Sequence, residues 1–282
     1  MALLVALLLL LAVIFWQDLH NGHITTIRDV GLVIGGITAM MLTVWRSSIA
    51  KRQADTAQLG LLNERYQKGA EMLGSEILSV RLAGIYALAS LARDHPEQHH
   101  IQITELLCAF VRNPPEINAG QGTRDSQDNL PPLREDVQAA ITAVGGRSKR
   151  GLSYEKAGDF RLNLYGASLK WARLTSSNLS GADLTRANVM HADLRCADLS
   201  RAILGGADLR DASLKGTDLS GAYIGPDFLP DPSGQLGDVE YMALTQDQLD
   251  EAKADSNNPP KLDSEAFDHA TGKLLVWHGK PL

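Results

Sequence analysis

The 282-residue chain has few cysteines and few aromatic side chains: 2 Cys, and 5% Phe, Trp and Tyr together. The two cysteines, Cys108 and Cys196, are far apart in sequence, which favours free thiols in a reducing compartment over a disulfide framework. Cys108 lies between apolar neighbours and is predicted in a core. Cys196 is predicted at an exposed position.

The chain also lacks the short motifs of common enzyme classes. It has no GxSxG, no phosphate-binding P-loop, no GxGxxG that opens a helix, no HExxH and no paired CxxC. His95 and His99 have i,i+4 spacing, but Pro96 lies between them and no Cys or acidic partner has ligand spacing. We predict that these histidines lie in a polar loop at a helix end. We therefore expect no catalytic residue, no metal, no cofactor and no enzyme activity.

Charge is absent from residues 1–16, and residues 30–45 are again apolar apart from two threonines. Each run measures about 24 Å as a helix, slightly less than a typical hydrocarbon core of about 30 Å. Both runs end in tryptophan, which favours the membrane interface. The alternative is a signal peptide followed by a buried helix, but neither a basic leader nor a cleavage site supports it. Residues 1–45 are thus predicted to form two transmembrane helices.

Basic residues predict the orientation of this hairpin. Arg28 is the single basic residue between the runs, whereas Arg46, Lys51 and Arg52 follow the second run. The positive-inside rule then places both termini and the soluble segments in the cytoplasm. Gly31, Gly35 and Gly36 permit close helix packing within the hairpin or between copies, so a homo-oligomer is one expectation.

A five-residue repeat fills the C-terminal third of the chain. Every fifth residue is a branched aliphatic, and a small residue precedes it by two positions in every unit but the first. These aliphatic positions are Leu164, Leu169, Leu174, Leu179, Leu184, Val189, Leu194, Leu199, Leu204, Leu209, Leu214, Leu219 and Ile224. Neither a helix nor a strand keeps this period, but a chain that turns a corner every five residues does. The repeat predicts a solenoid.

The Ala-Asp-Leu runs at 182–184, 192–194, 197–199 and 207–209 resemble the pentapeptide-repeat family, whose motif is A-(D/N)-L-x-x. The resemblance implies a right-handed, four-sided β-helix with four repeats per coil. Thirteen repeats would make a rod about 15 Å tall, at about 4.8 Å per coil. The aspartates fill the polar position of the repeat and do not indicate acid–base chemistry.

The overall fold class is therefore mixed, with six predicted parts. They are two transmembrane helices (1–45), a membrane-proximal helical segment that resembles HEAT-type repeats (46–112), a loop (113–133), a helical cap and lead-in (134–159), the β-helix (160–226) and an acidic C-terminal cap or tail (227–282). The tail holds eleven Asp and Glu against four Lys, or −7, whereas the whole chain is −6. We expect the helices to cap the first coil, Thr245 to begin a short tail helix, and residues 274–277 to fold back on the last coil.

Positions twenty residues apart stack if a coil has four repeats. One outward column is then Trp171, His191 and Asp211, and the neighbouring column is Lys170, Met190 and Arg210. Trp and Met at exposed corners near Arg favour contact with a protein partner. These two columns form one wall of the predicted solenoid. The alternative, that the helical segment or the tail covers this wall, stays open.

The order of these parts is similar to that of bacterial membrane-anchored pentapeptide-repeat proteins, a group without one shared activity. We expect a noncatalytic scaffold in the bacterial inner membrane that presents its solenoid to a cytoplasmic protein. One alternative is a stress or defence effector that acts on the bilayer through oligomerisation of its hairpin. A DNA mimic that modulates topoisomerase is less favoured, because one turn of B-DNA measures about 34 Å and residues 162–226 hold six acids and seven bases. No nucleic-acid partner is expected.

Overall fold

The computed structural model describes residues 24–116, 133–225, 244–254, 256–262 and 273–278, together with 13, 16, 17, 271 and 280. Most of the first apolar run, most of the predicted loop 113–133 and much of the tail lie outside the described residues. The chain divides into two compact units, Met1–Leu62 and Asn63–Leu282.

Helix α1 spans Ile24–Leu73, a length of 50 residues. Sequence predicts this continuity, because no proline interrupts the passage from the second apolar run into the charged segment. Among the described residues one stretch, Gly31–Leu73, is long and apolar enough to cross a membrane by length and composition. The most apolar part of this stretch is not buried within the protein. Signal sequences and core helices can meet the same length and composition criterion.

Four helices form a bundle after α1. They are α2 (Leu78–Asp94), α3 (Pro96–Arg112), α4 (Glu135–Gly145) and α5 (Lys149–Ala157). Their shared core contains the fully buried side chains Ile85, Leu88, Ile103 and Ile141. Helix α2 ends at Asp94, immediately before His95 and Pro96.

Helix α3 begins at Pro96, five residues before its apolar stripe begins at Ile101. Proline suits the first helical position, where its missing N–H has no helical partner. His99 and His100 consequently lie within α3 and are buried. The prediction that His99 belongs to a polar loop is therefore wrong.

The repeat forms a solenoid in which parallel β-bridges join residues twenty positions apart. One such ladder runs through Asn163, Asp183, Ile203 and Tyr223. Hydrogen bonds reinforce each step, as between the Leu164 N–H and the Asp183 carbonyl at 2.8 Å. The leucines and small residues of the repeat point inward and are buried. A coil therefore contains four repeats, as predicted.

Helix α4 closes the first coil. The Gly145 carbonyl accepts a hydrogen bond from the Asn178 N–H at 2.8 Å. The Gln138 side chain accepts from the Arg173 N–H at 2.8 Å and donates to the Arg173 carbonyl at 2.9 Å. These bonds satisfy backbone groups of the first coil that would pair with another coil if the solenoid continued.

Part of the tail closes the last coil. Helix α6 spans Gln246–Glu251, and Thr245 before it forms the predicted N-cap with a capping box. The Gln248 amide donates to the carbonyls of Leu209 and Ala212 at 2.7 and 2.8 Å. Lys253 pairs with the solenoid backbone at Asp218.

A short parallel sheet adds to this closure. Strand β1 (Tyr223–Ile224) pairs with β2 (Lys261–Leu262). Further along the tail, Gln246 bonds both backbone groups of Val276, at 2.7 and 2.9 Å. The described tail therefore continues the backbone pairing of the solenoid beyond the last repeat.

Candidate functional site

The predicted interaction wall takes its shape from the corners of the solenoid. Trp171, His191 and Asp211 occupy equivalent corners with φ values of 66°, 57° and 58°. This left-handed region costs a non-glycine residue roughly 1 kcal/mol or more. Other corners carry glycine, such as Gly166 and Gly181. Ser176, Arg186 and Arg201 have the same left-handed φ, so this conformation belongs to the repeat and does not by itself set the wall apart.

The structure brings this column together as direct contacts. The rings of Trp171 and His191 stack with centroids 4.0 Å apart and planes 11° apart. His191 Nδ1 lies 3.6 Å from Asp211 Oδ2, and the two form an ion pair only when the imidazole is protonated. Asp211 is exposed, so this pair contributes at most about 1 kcal/mol. Within the described residues, the buried Trp171 indole N–H has no hydrogen-bond partner.

In the neighbouring column of Lys170, Met190 and Arg210, an ion pair holds the Arg210 side chain in place. Arg210 is exposed and makes a two-point contact with Asp208, with nitrogen–oxygen distances of 2.6 and 2.9 Å. Hydrogen bonding to Asp208 raises the pKa of Arg210. Lys170 and Met190 are half-buried. All six predicted residues thus share one wall, and its use as a binding face stays a prediction.

The three glycines predicted to pack in the membrane lie on the surface of α1. Gly31, Gly35 and Gly36 are exposed. A Cβ atom added at any of them would have no heavy atom of the described protein within 4 Å. A close helix contact at these positions stays a prediction.

Comparison with known proteins identifies the solenoid. A family model for pentapeptide repeats matches residues 162–189 and 192–224, in eight copies. Residues 162–224 are a pentapeptide-repeat domain. Such repeats form a right-handed quadrilateral β-helix, in agreement with the twenty-residue bridge spacing, and they build solenoids of the protein-interaction type. No curated protein sequence matches the chain.

Several solved structures are similar to the chain. HetL, a pentapeptide-repeat protein of Nostoc sp. strain PCC 7120 involved in heterocyst differentiation regulation, is 34% identical over 23% of this chain and 32% of its own, with a TM-score of 0.22. A pentapeptide-repeat protein of the Arabidopsis thaliana thylakoid lumen is 27% identical over 34% of this chain and 60% of its own, with a TM-score of 0.23. Another pentapeptide-repeat protein, from Nostoc PCC 7120, is 24% identical over 44% of this chain and 90% of its own, with a TM-score of 0.22. The chain therefore spans less than two thirds of the first two proteins.

A buried polar network joins the helical bundle to the pentapeptide-repeat domain. Glu155 Oε1 lies 2.7 Å from His100 Nε2 and 2.7 Å from Arg147 Nε. Arg147 also donates to the Val144 carbonyl and to Asn178 on the solenoid. Burial lowers the pKa of Arg147, and the nearby Glu155 carboxylate opposes this shift. The network ties α3, α5 and the first coil together.

Gly151 packs directly against this network. A Cβ at Gly151 would come within 2.2 Å of the His100 ring, so only glycine allows the close approach. His100 and Glu155 are 55 residues apart, and no motif spacing connects them. Sequence reasoning therefore missed this cluster.

A second buried cluster, also missed, holds α2 against α4. Arg81 Nε lies 2.6 Å from Asp136 Oδ2, and both side chains are 1% exposed. Arg134 also pairs with Asp136, at 2.7 Å. Burial opposes ionisation of Asp136, but hydrogen bonds from Arg134 and Arg81 outweigh it and keep the Asp136 pKa below its ordinary value. Among the described residues, no group of three or more His, Cys, Asp and Glu is arranged to hold a metal ion.

The two cysteines have opposite environments, as predicted. Cys108 is buried in the bundle, and Cys196 is exposed on the pentapeptide-repeat domain. Burial raises the pKa of the Cys108 thiol to about 12. Because the thiolate is the reactive form, Cys108 should react slowly at neutral pH while the protein is folded.

Proposed function

We propose that this protein is a noncatalytic, membrane-anchored scaffold that presents its pentapeptide-repeat domain to a cytoplasmic protein partner. In this proposal residues 1–45 form a transmembrane hairpin, and the HEAT-like helices connect the hairpin to the solenoid. The observation that carries the proposal is the Trp171–His191 stack at left-handed corners of the wall. The unburied apolar window of α1 supports the membrane anchor.

The wall has the chemistry of a binding hot spot. Trp171 and His191 offer stacked ring surface, and Met190 adds an adaptable apolar side chain. Trp is enriched among residues whose truncation costs 2 kcal/mol or more, about a 30-fold loss of affinity. Arg210 is already oriented by Asp208, so less side-chain freedom would be lost when a partner binds.

Photocrosslinking of the full-length protein in its native membrane tests this surface. A photoreactive amino acid at Met190 should give one discrete adduct, and Trp171→Gly should abolish it. Glycine suits the left-handed corner, so this variant should keep the fold, as circular dichroism can verify. The matched control is the same amino acid at Lys215, an exposed corner on another wall. The same adduct from both walls, or none from Met190, would refute the proposed face.

We further propose that the domain lies on the cytoplasmic side of the bacterial inner membrane. Cys196 provides a native probe, because it is exposed whereas Cys108 is buried. A membrane-impermeant maleimide should leave intact spheroplasts unlabelled and should label inside-out vesicles. Cys196→Ser should remove that signal. Labelling of Cys196 in intact spheroplasts would reverse the proposed orientation.

A second function, that of a membrane effector, draws on the open positions at Gly31, Gly35 and Gly36. If hairpin oligomers are the active species, Gly35→Leu should reduce both crosslinked oligomers and membrane depolarisation on expression. The scaffold proposal expects the Met190 adduct to survive this change and no depolarisation in either variant.

A further inference from the structure

The helical bundle contains a cleft that the proposed scaffold role does not use. Residues of α2, α3 and α4, with Arg173 of the first coil, surround a volume of about 690 Å³. Ligand sites in proteins typically measure about 300–1,000 Å³. Apolar side chains form much of the lining, including Leu82, Ala89, Ile103 and Leu107.

The charges around this cleft are mainly positive. Three arginines line it, Arg93, Arg147 and Arg173, against one carboxylate, Glu135. Arg147 is already paired with Glu155. Within the described part of the chain, the guanidinium groups of Arg93 and Arg173 make neither an ion pair nor a hydrogen bond, so both can bind an anion.

Apolar surface and uncommitted guanidinium groups together define the ligand. An apolar body would cover the lining, and a carboxylate or sulfonate would accept paired hydrogen bonds from Arg93 or Arg173. We propose that this cleft binds a small organic anion with an apolar or aromatic body.

Such a ligand would also act on the first coil. Gln138 lines the cleft and holds both backbone groups of Arg173. Arg173 itself also lines the cleft. A bound anion would therefore stabilise the junction between helical bundle and solenoid, and slower amide exchange at residues 163–178 would report binding.

The test uses the full-length protein in lipid nanodiscs, with 2-naphthoate as the probe and neutral 2-naphthamide as its matched analogue. Binding is measured by calorimetry and by saturation-transfer NMR, with empty nanodiscs as background. We expect naphthoate to bind at least about tenfold more tightly than the amide, since hydrogen bonds to charged groups are the stronger ones. Added salt should weaken the binding of naphthoate more than that of the amide.

Variants locate the site. Arg93→Gln and Arg173→Gln should each weaken naphthoate binding about tenfold. Ala89→Phe should block binding of both probes by filling the cleft. Arg201→Gln, on an exposed solenoid corner, is the matched control and should change nothing. Circular dichroism would verify that each variant is folded.

Three results would overturn the proposal. They are no saturable naphthoate binding at millimolar concentration, equal affinity for the neutral amide, and unchanged affinity in the folded Arg93→Gln and Arg173→Gln variants. The test is independent of the proposed partner wall, because Trp171→Gly should leave naphthoate binding unchanged.

Discussion

Gln138→Leu should open the first coil of the pentapeptide-repeat domain. Gln138 is 9% exposed, and its amide holds the N–H and the carbonyl of Arg173 at 2.8 and 2.9 Å. Leucine has a similar size but neither donor nor acceptor. Each unsatisfied buried group costs about 1–3 kcal/mol. Because this edge is only partly buried and water can replace some bonding, we expect a total near 2 kcal/mol, about a 30-fold rise in local opening.

Hydrogen–deuterium exchange on the full-length protein measures this effect directly. Peptides that cover 163–178 should exchange about 30-fold faster in Gln138→Leu. Peptides in the last coil should change little, because each coil of a solenoid contacts only its neighbours. Gln102→Leu is the matched control, since Gln102 is exposed on α3. Unchanged exchange at 163–178 in Gln138→Leu would show that water fully replaces the glutamine, and the capping argument would fail.

Three further predictions concern stability. Asp136→Asn should cost about 3 kcal/mol, because it leaves the buried Arg81 charge without its carboxylate; denaturant titration measures this. Since the folded pKa of Asp136 is lowered, its stabilisation is complete above the unfolded pKa of about 3.9 and is lost as the pH falls through the folded value. In Asp136→Asn the free energy of unfolding should therefore fall less at acid pH than in the unaltered protein. The same dependence on pH in both proteins would contradict the ion-pair account. Gly151→Ala should lower the melting temperature although alanine favours helices, because its Cβ would meet the His100 ring; a higher melting temperature would refute this. Leu194→Ala should cost about 2–5 kcal/mol at its buried site, whereas Leu274→Ala, 54% exposed, should stay within about 0.5 kcal/mol.

The solenoid was predictable because its information is local and repeated. Each unit specifies an inward aliphatic residue, an inward small residue and a corner. Thirteen units therefore agree on which positions point inward and which lie at corners. The same logic correctly placed Trp171, His191 and Asp211 in one column, since their alignment depends only on the number of residues per coil. The Thr245 N-cap was predictable for a similar reason: a cap and its partner Gln248 lie within one turn.

The buried polar clusters were not predictable in this way. His100 and Glu155 meet only after α3 and α5 pack, and Arg81 reaches Asp136 only after α2 meets α4. In sequence an isolated charged residue resembles one on a solvated surface, and the pairing that permits its burial is tertiary. The prediction that His99 lies in a loop was wrong because proline, here Pro96, can begin a helix as well as end one.

The closed ends of the solenoid bear on the DNA-mimic alternative. A mimic of one duplex turn would need about 34 Å, and end-to-end stacking of two copies is the simplest way to lengthen a rod of about 15 Å. Stacking at the first coil would displace Gln138 from Arg173, and stacking at the last coil would displace Gln248 from Leu209 and Ala212. Each displaced cap costs about 2 kcal/mol, so stacking starts from an unfavourable free energy. Each copy would still carry six acids against seven bases in residues 162–226. The side walls have no comparable cost, which favours a partner that docks on the column of Trp171, His191 and Asp211.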